Sequence, residues 1–366
     1  MSKSKWQRQL KSYDRRLLEG QSANEEQETD YPLGWYFARF SEDLVPGQVV
    51  PVEFMSHQFA LFRGKNGRVG MIDSQCCHMG ADLARCGTVV EDRIKCGYHA
   101  WEFRTDGGCA VIPGLDQSKI PPRAGQRSIP VHEHAGNIWF WYGPEPSGEF
   151  TEVPYADSSR YLNLKGQVYI AHGKLLPVAE HVSDIYHFPN AHRGTGRLEY
   201  AVLVNKEDRL EYQLRPADEA SRNKVQRWFK PFAFIEMIGP SAAIYRTQKD
   251  ATVDRSGPML TIVLGGTPIR DDLTIFTWRV VVRKIGPGPL FAPLNHALAR
   301  MMWLTVRRNA YADMDVLKWL RMPEKTLWVK PDGPSVREFR SFFNRGIVPG
   351  WRFGNAMPEE ASTASA

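Results

Sequence analysis

The sequence predicts an α+β protein of two domains: a small antiparallel β domain followed by a larger domain in which helices pack against a sheet. Within residues 34–143, short β-rich runs alternate with turn signals. Proline and acidic residues then disfavour both helix and central strand over residues 144–154. Beyond this boundary, helix-compatible stretches near 173–187 and 291–320 alternate with strand-like runs. The 366 residues suffice for two domains of roughly 100–200 residues each.

The individual elements follow from hydrophobic periodicity and turn residues. The predicted strands are 48–54, 59–63, 69–73, 93–96 and 137–142 in the first domain, and 242–248, 260–264 and 273–282 in the second. The two ends of the chain are polar and are expected not to bury apolar surface. The predicted division is a flexible arm at 1–30, a first domain at 31–147, a second domain at 148–356 and a disordered tail at 357–366.

Composition argues against several classes of protein. Hydrophobic residues make up 42% of the chain, as in ordinary globular proteins. The formal net charge of +6, from 47 Lys and Arg against 41 Asp and Glu, is spread along the chain and gives little support to nucleic-acid binding. There is no run of 18 uncharged apolar residues, so no transmembrane helix is predicted. The first residues lack the apolar segment of a secretory signal, and a cytoplasmic location is expected.

The five cysteines all fall within one short part of the first domain: Cys76, Cys77, Cys86, Cys96 and Cys109. A disulfide framework would use an even number of cysteines distributed over the fold. The clustering therefore indicates a metal site.

Two of these cysteines belong to a pattern with two histidines. Cys76-Cys-His78 is followed by Cys96-Gly-Tyr-His99, which gives Cys-x-His and then Cys-x-x-His. Two thiolates and two imidazoles suit a 2Fe-2S cluster in which the cysteines hold one iron and the histidines hold the other. Gly80 and Gly97 are expected to permit tight ligand loops. Zinc is the alternative, but zinc fingers pair cysteine with cysteine and histidine with histidine.

The segments Cys76-Cys-His-Met-Gly-Ala-Asp-Leu83 and Cys96-Gly-Tyr-His-Ala-Trp-Glu-Phe103 closely resemble the two ligand loops of Rieske non-heme iron oxygenases. Respiratory Rieske proteins carry an extra cysteine pair, whereas Ala81 and Tyr98 stand in the corresponding places here. The resemblance implies an N-terminal Rieske domain and a helix-grip-type catalytic domain with an antiparallel sheet. The implied cluster ligands are Cys76, His78, Cys96 and His99. The remaining cysteines are interpreted as buried or half-buried apolar fillers: Cys77, Cys86 and Cys109.

A second constellation lies in the larger domain, in the segment Asp184-Ile-Tyr-His187-Phe-Pro-Asn-Ala-His192. In a helix, Asp184 and His187 would share a face, and Pro189 would end the helix so that His192 can turn back. Two histidines alone are weak evidence for a metal site, because structural histidines are common. A set of two histidines and one carboxylate leaves coordination positions open and is typical of mononuclear Fe(II) oxygenases.

Rieske oxygenases share this Asp-x-x-His-x-x-x-x-His pattern, so the resemblance implies His187 and His192 as ligands of a mononuclear Fe(II). The third ligand of the family is an aspartate in a later helix, where Asp313 and Asp315 are the candidates. Asp315 is predicted, because Asp315-Val-Leu-Lys-Trp319 resembles the segment of the family in register. The two aspartates lie about 200° apart around an ideal helix, so only one of them can face the iron.

Asp184 is expected to act as a catalytic bridge. In the family the corresponding aspartate hydrogen-bonds a cluster histidine of a neighbouring subunit, here His99. The resemblance thus implies a homotrimer with the subunits arranged head to tail. Glu180 precedes the motif and is interpreted either as support for a ligand or as a surface charge.

Electrons must come from outside the chain. The sequence has neither a strand-flanked Gly-x-Gly-x-x-Gly nor a plant-type ferredoxin cysteine run, so NAD(P)H, flavin and the donor cluster are expected on a separate flavin reductase, ferredoxin or both. Basic residues near the ligand loops would offer a positive rim to an acidic ferredoxin, with a plain solvated surface as the alternative. These residues are Arg85, Arg93, Lys95 and Arg104.

The resemblance extends over about residues 32–343 and is greatest to the small homomeric monooxygenases, the group of 3-ketosteroid 9α-hydroxylase and aminopyrrolnitrin oxygenase. It implies O2-dependent C–H hydroxylation of an apolar or aromatic small molecule, with arylamine N-oxygenation as the alternative reaction. Two alternatives from other classes are a Rieske electron carrier and a zinc-stabilised binding module. Substrate contacts are expected from apolar strand residues: Phe232, Phe234, Ile244, Tyr245, Ile275 and Phe276.

Overall fold

The computed structural model divides the chain into two units. One unit is formed by Arg39–Ile129, and the other by Thr29–Ala38 together with the chain from Pro130 onward. The predicted tail, and all but the end of the predicted arm, lie outside the described residues. The structure describes residues 29–146, 150–153, 155–156, 158–192, 197–217, 232–248, 257–320, 323, 326–327 and 333–353.

The regular elements are mostly strands. In chain order the strands are β1 (Gly34–Phe40), β2 (Val49–Phe54), β3 (His57–Arg63), β4 (Val69–Asp73), β5 (Thr88–Val90), β6 (Arg93–Lys95), β7 (Glu102–Phe103), β8 (Cys109–Val111), β9 (Val131–His134), β10 (Asn137–Tyr142), β11 (Tyr161–Ala171), β12 (Leu198–Asn205), β13 (Leu210–Pro216), β14 (Phe232–Met237), β15 (Ala242–Gln248), β16 (Leu260–Arg270) and β17 (Leu273–Arg283). The helices are α1 (Leu83–Cys86), α2 (Leu175–Glu180), α3 (Phe188–Ala191), α4 (Gly288–Leu317) and α5 (Gly333–Arg345). No helix of the described residues is long and apolar enough to span a membrane.

The first unit contains two small antiparallel sheets, one of β2, β3 and β4 and one of β5, β6, β7 and β8. Its apolar core includes Phe62, Ile94 and Phe103, and the side chains of Cys76 and Cys96 pack into the same cluster. The predicted ligand cysteines therefore lie where a rigid core holds them.

The prediction that the other three cysteines are apolar fillers is correct for only one of them. Cys109 is buried, but Cys77 and Cys86 are exposed. Cys77 lies in the first ligand loop, and Cys86 ends the short surface helix α1. Both positions border solvent, so neither thiol fills the core.

The second unit is built on a seven-stranded antiparallel sheet in the order β11-β17-β16-β15-β14-β13-β12. One end of this sheet is covered by α4, whose apolar face packs against Trp278, Val280 and Val282 of β17. Because the strands alternate their side chains between two faces, each strand presents apolar groups to the helices on one side only. The predicted α+β class with an antiparallel sheet in the second domain is confirmed.

The boundary between the units lies earlier than the predicted division after residue 147. Strand β10 pairs with β9 and with β1, in the order β1-β10-β9. Arg279 of β17 donates to the side chain of Asn137 at 3.1 Å and to the carbonyl of Gly136 at 2.8 Å. These bonds tie the β9–β10 hairpin to the large sheet, so the chain from Pro130 onward belongs to the second unit.

Candidate metal centres

The first ligand loop is closed by backbone hydrogen bonds around Cys76. Its N–H donates to the carbonyl of Ala81 at 2.9 Å, and its carbonyl accepts from the N–H of Gly80 at 2.8 Å. Gly80 has a φ of +74°, a left-handed conformation that glycine adopts without a steric penalty. Asp82 follows and caps α1 by accepting hydrogen bonds from Ala84 and Arg85.

The second loop repeats this geometry. The N–H of Cys96 donates to the carbonyl of Trp101 at 2.8 Å, and the N–H of Ala100 donates to the carbonyl of Cys96 at 3.1 Å. The left-handed residue is Ala100, with a φ of 59°. Gly97 is required for close packing and not for the predicted turn geometry. A Cβ at this position would lie 2.2 Å from the carbonyl oxygen of Cys86. The two ligand loops thus have the same backbone hydrogen bonds, but the left-handed position is occupied by Gly80 in the first loop and by Ala100 in the second.

The structure brings the four predicted cluster ligands together as two like pairs. Cys76 and Cys96 are buried and their thiols contact each other. The rings of His78 and His99 lie 4.6 Å apart, with His78 exposed and His99 half-buried. Burial, together with the neighbouring Cys96 thiol, raises the pKa of Cys76 to about 11, so a metal must displace a proton there. Sulfur donors inside and nitrogen donors outside fit a two-iron cluster with one pair on each iron.

Two residues that were not predicted brace these loops. Gln126 accepts a hydrogen bond from the N–H of Cys77 at 3.1 Å and donates to the carbonyl of Gln75 at 2.8 Å, so its amide bridges both sides of Cys76. Trp101 stacks on the ring of His78 at 4.4 Å, with an interplanar angle of 10°. Trp101 belongs to the quoted motif, whereas no local pattern connects Gln126 with the loop.

The predicted positive rim is largely offset by acidic neighbours. Three of its four residues form ion pairs within the same unit, and these pairs are Arg85 with Asp82, Arg93 with Glu102 at 3.0 Å, and Arg104 with Asp106 at 3.4 Å. The local field at this surface is therefore weaker than the basic residues alone imply.

In the second unit, His187 and His192 flank one short helix. His187 immediately precedes α3 and His192 immediately follows it. The expected single helix over 173–187 is broken, because α2 ends at Glu180 and Asp184 has extended backbone angles. Pro189 is the second residue of α3 and does not end a helix, and in the first turn its missing N–H costs no hydrogen bond.

The aspartate that lies next to both histidines is Asp313 and not the predicted Asp315. Asp313 Oδ1 lies 2.8 Å from His192 Nε2 and 3.9 Å from His187 Nε2, and the two Nε2 atoms are 3.2 Å apart. The side chain of Asp315 is 74% exposed and pairs with Lys318 at 2.7 Å. Asp315 therefore points to solvent, away from both histidines.

The direction of each aspartate follows from the buried face of α4. Ala310, Met314 and Leu317 lie on that face. Asp313 is three residues after Ala310 and four before Leu317, which places it on the same side of the helix. Asp315 lies on the opposite side. The spacing of the apolar residues in this helix predicts that Asp313 faces the interior, whereas alignment with the family motif selected Asp315.

A third histidine, which was not predicted as part of the site, also faces Asp313. His181 begins a 3₁₀ turn, His181–Ser183, and its Nε2 lies 3.4 Å from Asp313 Oδ1. Its ring centre is 4.0 Å from that of His187. Donor atoms of His181, His187 and Asp313 all lie within 4.8 Å of one another. His181 was missed because the motif counts only the histidines that follow Asp184.

The electrostatics of this cluster suit a bound cation. Burial, and then the neighbouring His181, lower the pKa of His187 to about 3. Burial alone raises the pKa of Asp313, but the close polar contacts and the charge of His181 and His192 outweigh it and hold that pKa well below its usual range. Among the described residues, buried His187 Nδ1 and Asp313 Oδ1 have no well-aligned hydrogen-bond partner. A neutral imidazole and an ionised carboxylate are the protonation states that metal ligands require.

Asp184 lies between His187 and solvent. Its Oδ2 is 3.9 Å from His187 Nδ1, and its Oδ1 accepts a hydrogen bond from the N–H of Tyr186 at 2.9 Å. The side chain is 36% exposed. Asp184 is thus placed beside a candidate ligand with one edge open to a partner.

Glu180 is neither a surface charge nor a direct support for a ligand. It is buried and forms a two-pronged ion pair with Arg340 of α5, with N···O distances of 2.5 and 2.9 Å. The pair fixes the end of α2 immediately before His181. Bidentate geometry of this kind restrains both side chains.

A small apolar pocket, with room for at most about one water molecule, lies between α2 and the sheet. Its size is below the ~300–1,000 Å³ of typical ligand sites, so a complete substrate requires more room. Of the predicted substrate contacts, Phe276 lines the pocket, whereas Ile244 points to the other face of the sheet because its neighbour Ala243 lines the pocket. The side chain of Phe232 lies outside the described residues. The lining is Val178, Ala179, Val182, Met237, Ser241, Ala243, Leu264, Gly266 and Phe276.

Comparisons with known proteins agree with this architecture. Residues 34–130 match the family model of the Rieske 2Fe-2S domain. An alignment of 166 residues is 35% identical to cholesterol 7-desaturase nvd 1 of Ciona intestinalis. It covers 44% of this chain and 35% of that protein. A longer alignment, 22% identical, covers 87% of this chain and 83% of the oxygenase component of 3-ketosteroid-9-alpha-monooxygenase of Mycobacterium tuberculosis. Apo dicamba monooxygenase shares the fold with a TM-score of 0.66 and 17% identity, over 87% of this chain and 98% of that chain.

These findings define a protein with a Rieske 2Fe-2S domain followed by a sheet-rich domain, which is the fold of the Rieske oxygenases. The predicted resemblance to Rieske non-heme iron oxygenases is confirmed. Within that class, the chain is similar over most of its length to the oxygenase component of 3-ketosteroid-9-alpha-monooxygenase.

Proposed function

We propose that the protein is the terminal oxygenase of a Rieske monooxygenase system that oxidises an apolar or aromatic small molecule with O2. The observation that supports this most is the presence of two separate donor sets in one chain. Buried thiols and outer imidazoles form the first set, and imidazoles converging on a buried carboxylate form the second. An electron carrier or a zinc-stabilised module has no use for the second set.

The residues of the first unit that would hold the 2Fe-2S cluster are Cys76, Cys96, His78 and His99. The buried thiols would take the inner iron and the outer imidazoles the second iron. Electrons would therefore enter and leave on the imidazole side, because that side borders solvent.

The residues that would hold a mononuclear Fe(II) are His187, His192 and Asp313. Donors bound at about 2.1 Å to one ion lie roughly 3–4 Å apart, and the three distances here are 2.8, 3.2 and 3.9 Å. When bound, an iron in such a set supplies O2 activation, with coordination positions left for O2. The residues around the site would hold the substrate and exclude bulk water.

Asp184 would connect the two centres across a subunit interface, by accepting a hydrogen bond from His99 of the partner subunit. Support comes from its exposed edge and from its closeness to His187 Nδ1. A head-to-tail homotrimer is part of this proposal. A cytoplasmic location also stays a prediction.

The substrate class rests on the apolar lining of the pocket beside α2, which offers one hydroxyl, of Ser241, and no charge. C–H hydroxylation is the proposed reaction, and arylamine N-oxygenation at the same site is the alternative. A separate ferredoxin, flavin reductase or both would deliver the electrons from NAD(P)H.

The test begins with iron and acid-labile sulfide in the purified full chain. The proposal expects two irons and two sulfides for the cluster and one further iron, with the further iron alone lost in His192→Ala. The cluster is then reduced, O2 is admitted with a panel of apolar and aromatic compounds, and products are examined for one atom of ¹⁸O from ¹⁸O2. Two irons in both proteins, with no product, would reduce the chain to an electron carrier.

A further inference from the structure

The position of His181 is not explained by a site with two histidines and one aspartate. Its side chain is only 14% exposed, and its Nε2 is directed at the same oxygen, Asp313 Oδ1, that His192 and His187 approach. Three imidazoles from one short stretch of chain thus surround a single carboxylate oxygen.

A hydrogen bond from His181 to Asp313 does not account for this arrangement. The N···O distance of 3.4 Å exceeds the ~2.7–3.2 Å of good N–H···O bonds. Within the described part of the chain, Asp313 Oδ1 has no well-aligned donor at all. His181 and Asp313 therefore converge on a common space without an aligned hydrogen bond between them, as two ligands around one ion do.

The distances fit a fourth ligand. At metal–ligand bonds of about 2.1 Å, adjacent donors lie roughly 3.0–3.5 Å apart and opposite donors about 4.2 Å apart. The 3.4 Å from His181 to Asp313 falls in the adjacent range. Donor atoms of His181 and His187 lie within 4.8 Å, so small side-chain movements would place both on one ion.

The backbone of His181 is held in place from both sides. The preceding residue, Glu180, is fixed by its ion pair with Arg340. The carbonyl of His181 accepts a hydrogen bond from the N–H of Asp184 at 3.2 Å. A ligand presented by a restrained backbone binds a metal without a large loss of conformational entropy.

We infer that His181 is a fourth protein ligand of the mononuclear metal site, which makes the site a set of three histidines and one aspartate. The inference rests on the proposed function, because it takes the mononuclear site as given. In a six-coordinate ion, four protein ligands leave two positions rather than three.

The test uses the full chain with its cluster oxidised and Co(II) in place of the mononuclear iron. X-ray absorption at the cobalt edge reports this site alone, since the cluster contains no cobalt. The wild type is expected to show three imidazoles, and both His181→Ala and His181→Asn are expected to show two. The dissociation constant for Co(II) should rise by at least about 10-fold in His181→Ala, the lower end of losses seen for residues that only support a ligand. His296→Ala removes an exposed histidine of α4 and should change neither quantity.

Each outcome has a defined meaning. Two imidazoles in the wild type, or an equal number in wild type and His181→Ala, would overturn the fourth ligand and leave the proposed function standing. Wild-type protein that binds no Co(II) would overturn both the fourth ligand and the proposed mononuclear site. His187→Ala tests whether His187 belongs to the same set of ligands. Loss of one imidazole in His187→Ala with three in the wild type supports the full set of ligands.

Discussion

The choice between Asp313 and Asp315 is the sharpest prediction, because two aspartates in the same turns of α4 are expected to behave oppositely. Asp313→Ala removes a side chain that is 12% exposed and lies 2.8 Å from His192 Nε2. Asp315→Ala removes a side chain that is 74% exposed and pairs only with Lys318 among the described residues. The substitution is identical, so the helix propensity changes equally in both variants.

The magnitudes follow from these environments. A residue that merely supports a metal ligand contributes about 10–100-fold to affinity, or roughly 1.4–2.7 kcal/mol, and the loss of a direct ligand should be at least as large. Asp313→Ala should therefore lose the mononuclear iron on purification. An exposed ion pair contributes at most about 1 kcal/mol to stability, so Asp315→Ala should retain every iron and unfold at nearly the same temperature.

The measurement is iron per chain with sulfide as the internal reference, followed by cluster absorption to show that the first unit is intact. The expected result is an iron-to-sulfide ratio that falls only in Asp313→Ala. Asp313→Asn keeps an oxygen donor without its charge and should fall between the two. A ratio that falls in Asp315→Ala and stays constant in Asp313→Ala would refute the reasoning from the buried face of α4.

Three further predictions follow from the same contacts. Asp184→Asn should keep both metals but slow reoxidation of the reduced cluster by O2 and substrate by at least about 100-fold, because the proposed path between the centres loses its carboxylate; normal single-turnover rates would exclude the bridge. Glu180→Gln should lower the free energy of unfolding by on the order of 2–4 kcal/mol, somewhat less than for a fully buried pair, since Arg340 is 21% exposed. Glu91→Gln, in a pair that is mostly exposed, should cost under about 1 kcal/mol in the same denaturant titration. Gln126→Leu should speed the loss of cluster absorption under a chelator while leaving the mononuclear iron in place; an unchanged rate would show that its amide does not brace the loop.

Much of the fold was predictable where local and tertiary preferences agree. The strands Val69–Asp73, Asn137–Tyr142 and Ala242–Gln248 have the predicted bounds. Each of them is rich in apolar or aromatic residues and bounded by polar or glycine residues, which fixes its length. The division of the chain was not predictable in the same way. Pairing of β10 with β1 joins segments about a hundred residues apart, and no local composition reports it.

The break after α2 has a local cause that competes with helix formation. Asp184 Oδ1 accepts a hydrogen bond from the N–H of Tyr186, two residues on, and this bond favours a turn over the next turn of a helix. The sequence motif alone assigns the same side chain only a functional role. Because Asp184 bonds the backbone as well as lying beside the candidate site, reasoning from the motif alone predicts a helix where the chain turns.

The convergence of His187 and His192 was predictable from their spacing, whereas the position of the aspartate required knowledge of which side of α4 is buried. Motif register compared Asp315 with Trp319, but Trp319 is 72% exposed and anchors nothing in the core. The apolar positions of the helix, Ala310 and Leu317, carry the tertiary information that decides the direction of Asp313.

The position of Asp313 near the end of α4 provides an argument for a cation that is independent of any motif. The C-terminal end of a helix carries partial negative charge, so an aspartate there is unfavourable unless a positive charge is close. Asp315 meets this requirement with Lys318 and solvent. Asp313 is nearly buried, and the groups that surround its Oδ1 are imidazoles, one of which, His187, has a pKa of about 3 and is neutral. A divalent ion would satisfy the carboxylate, the helix end and the imidazole lone pairs at one point. This charge balance supports the proposed mononuclear metal at Asp313 without reference to the motif.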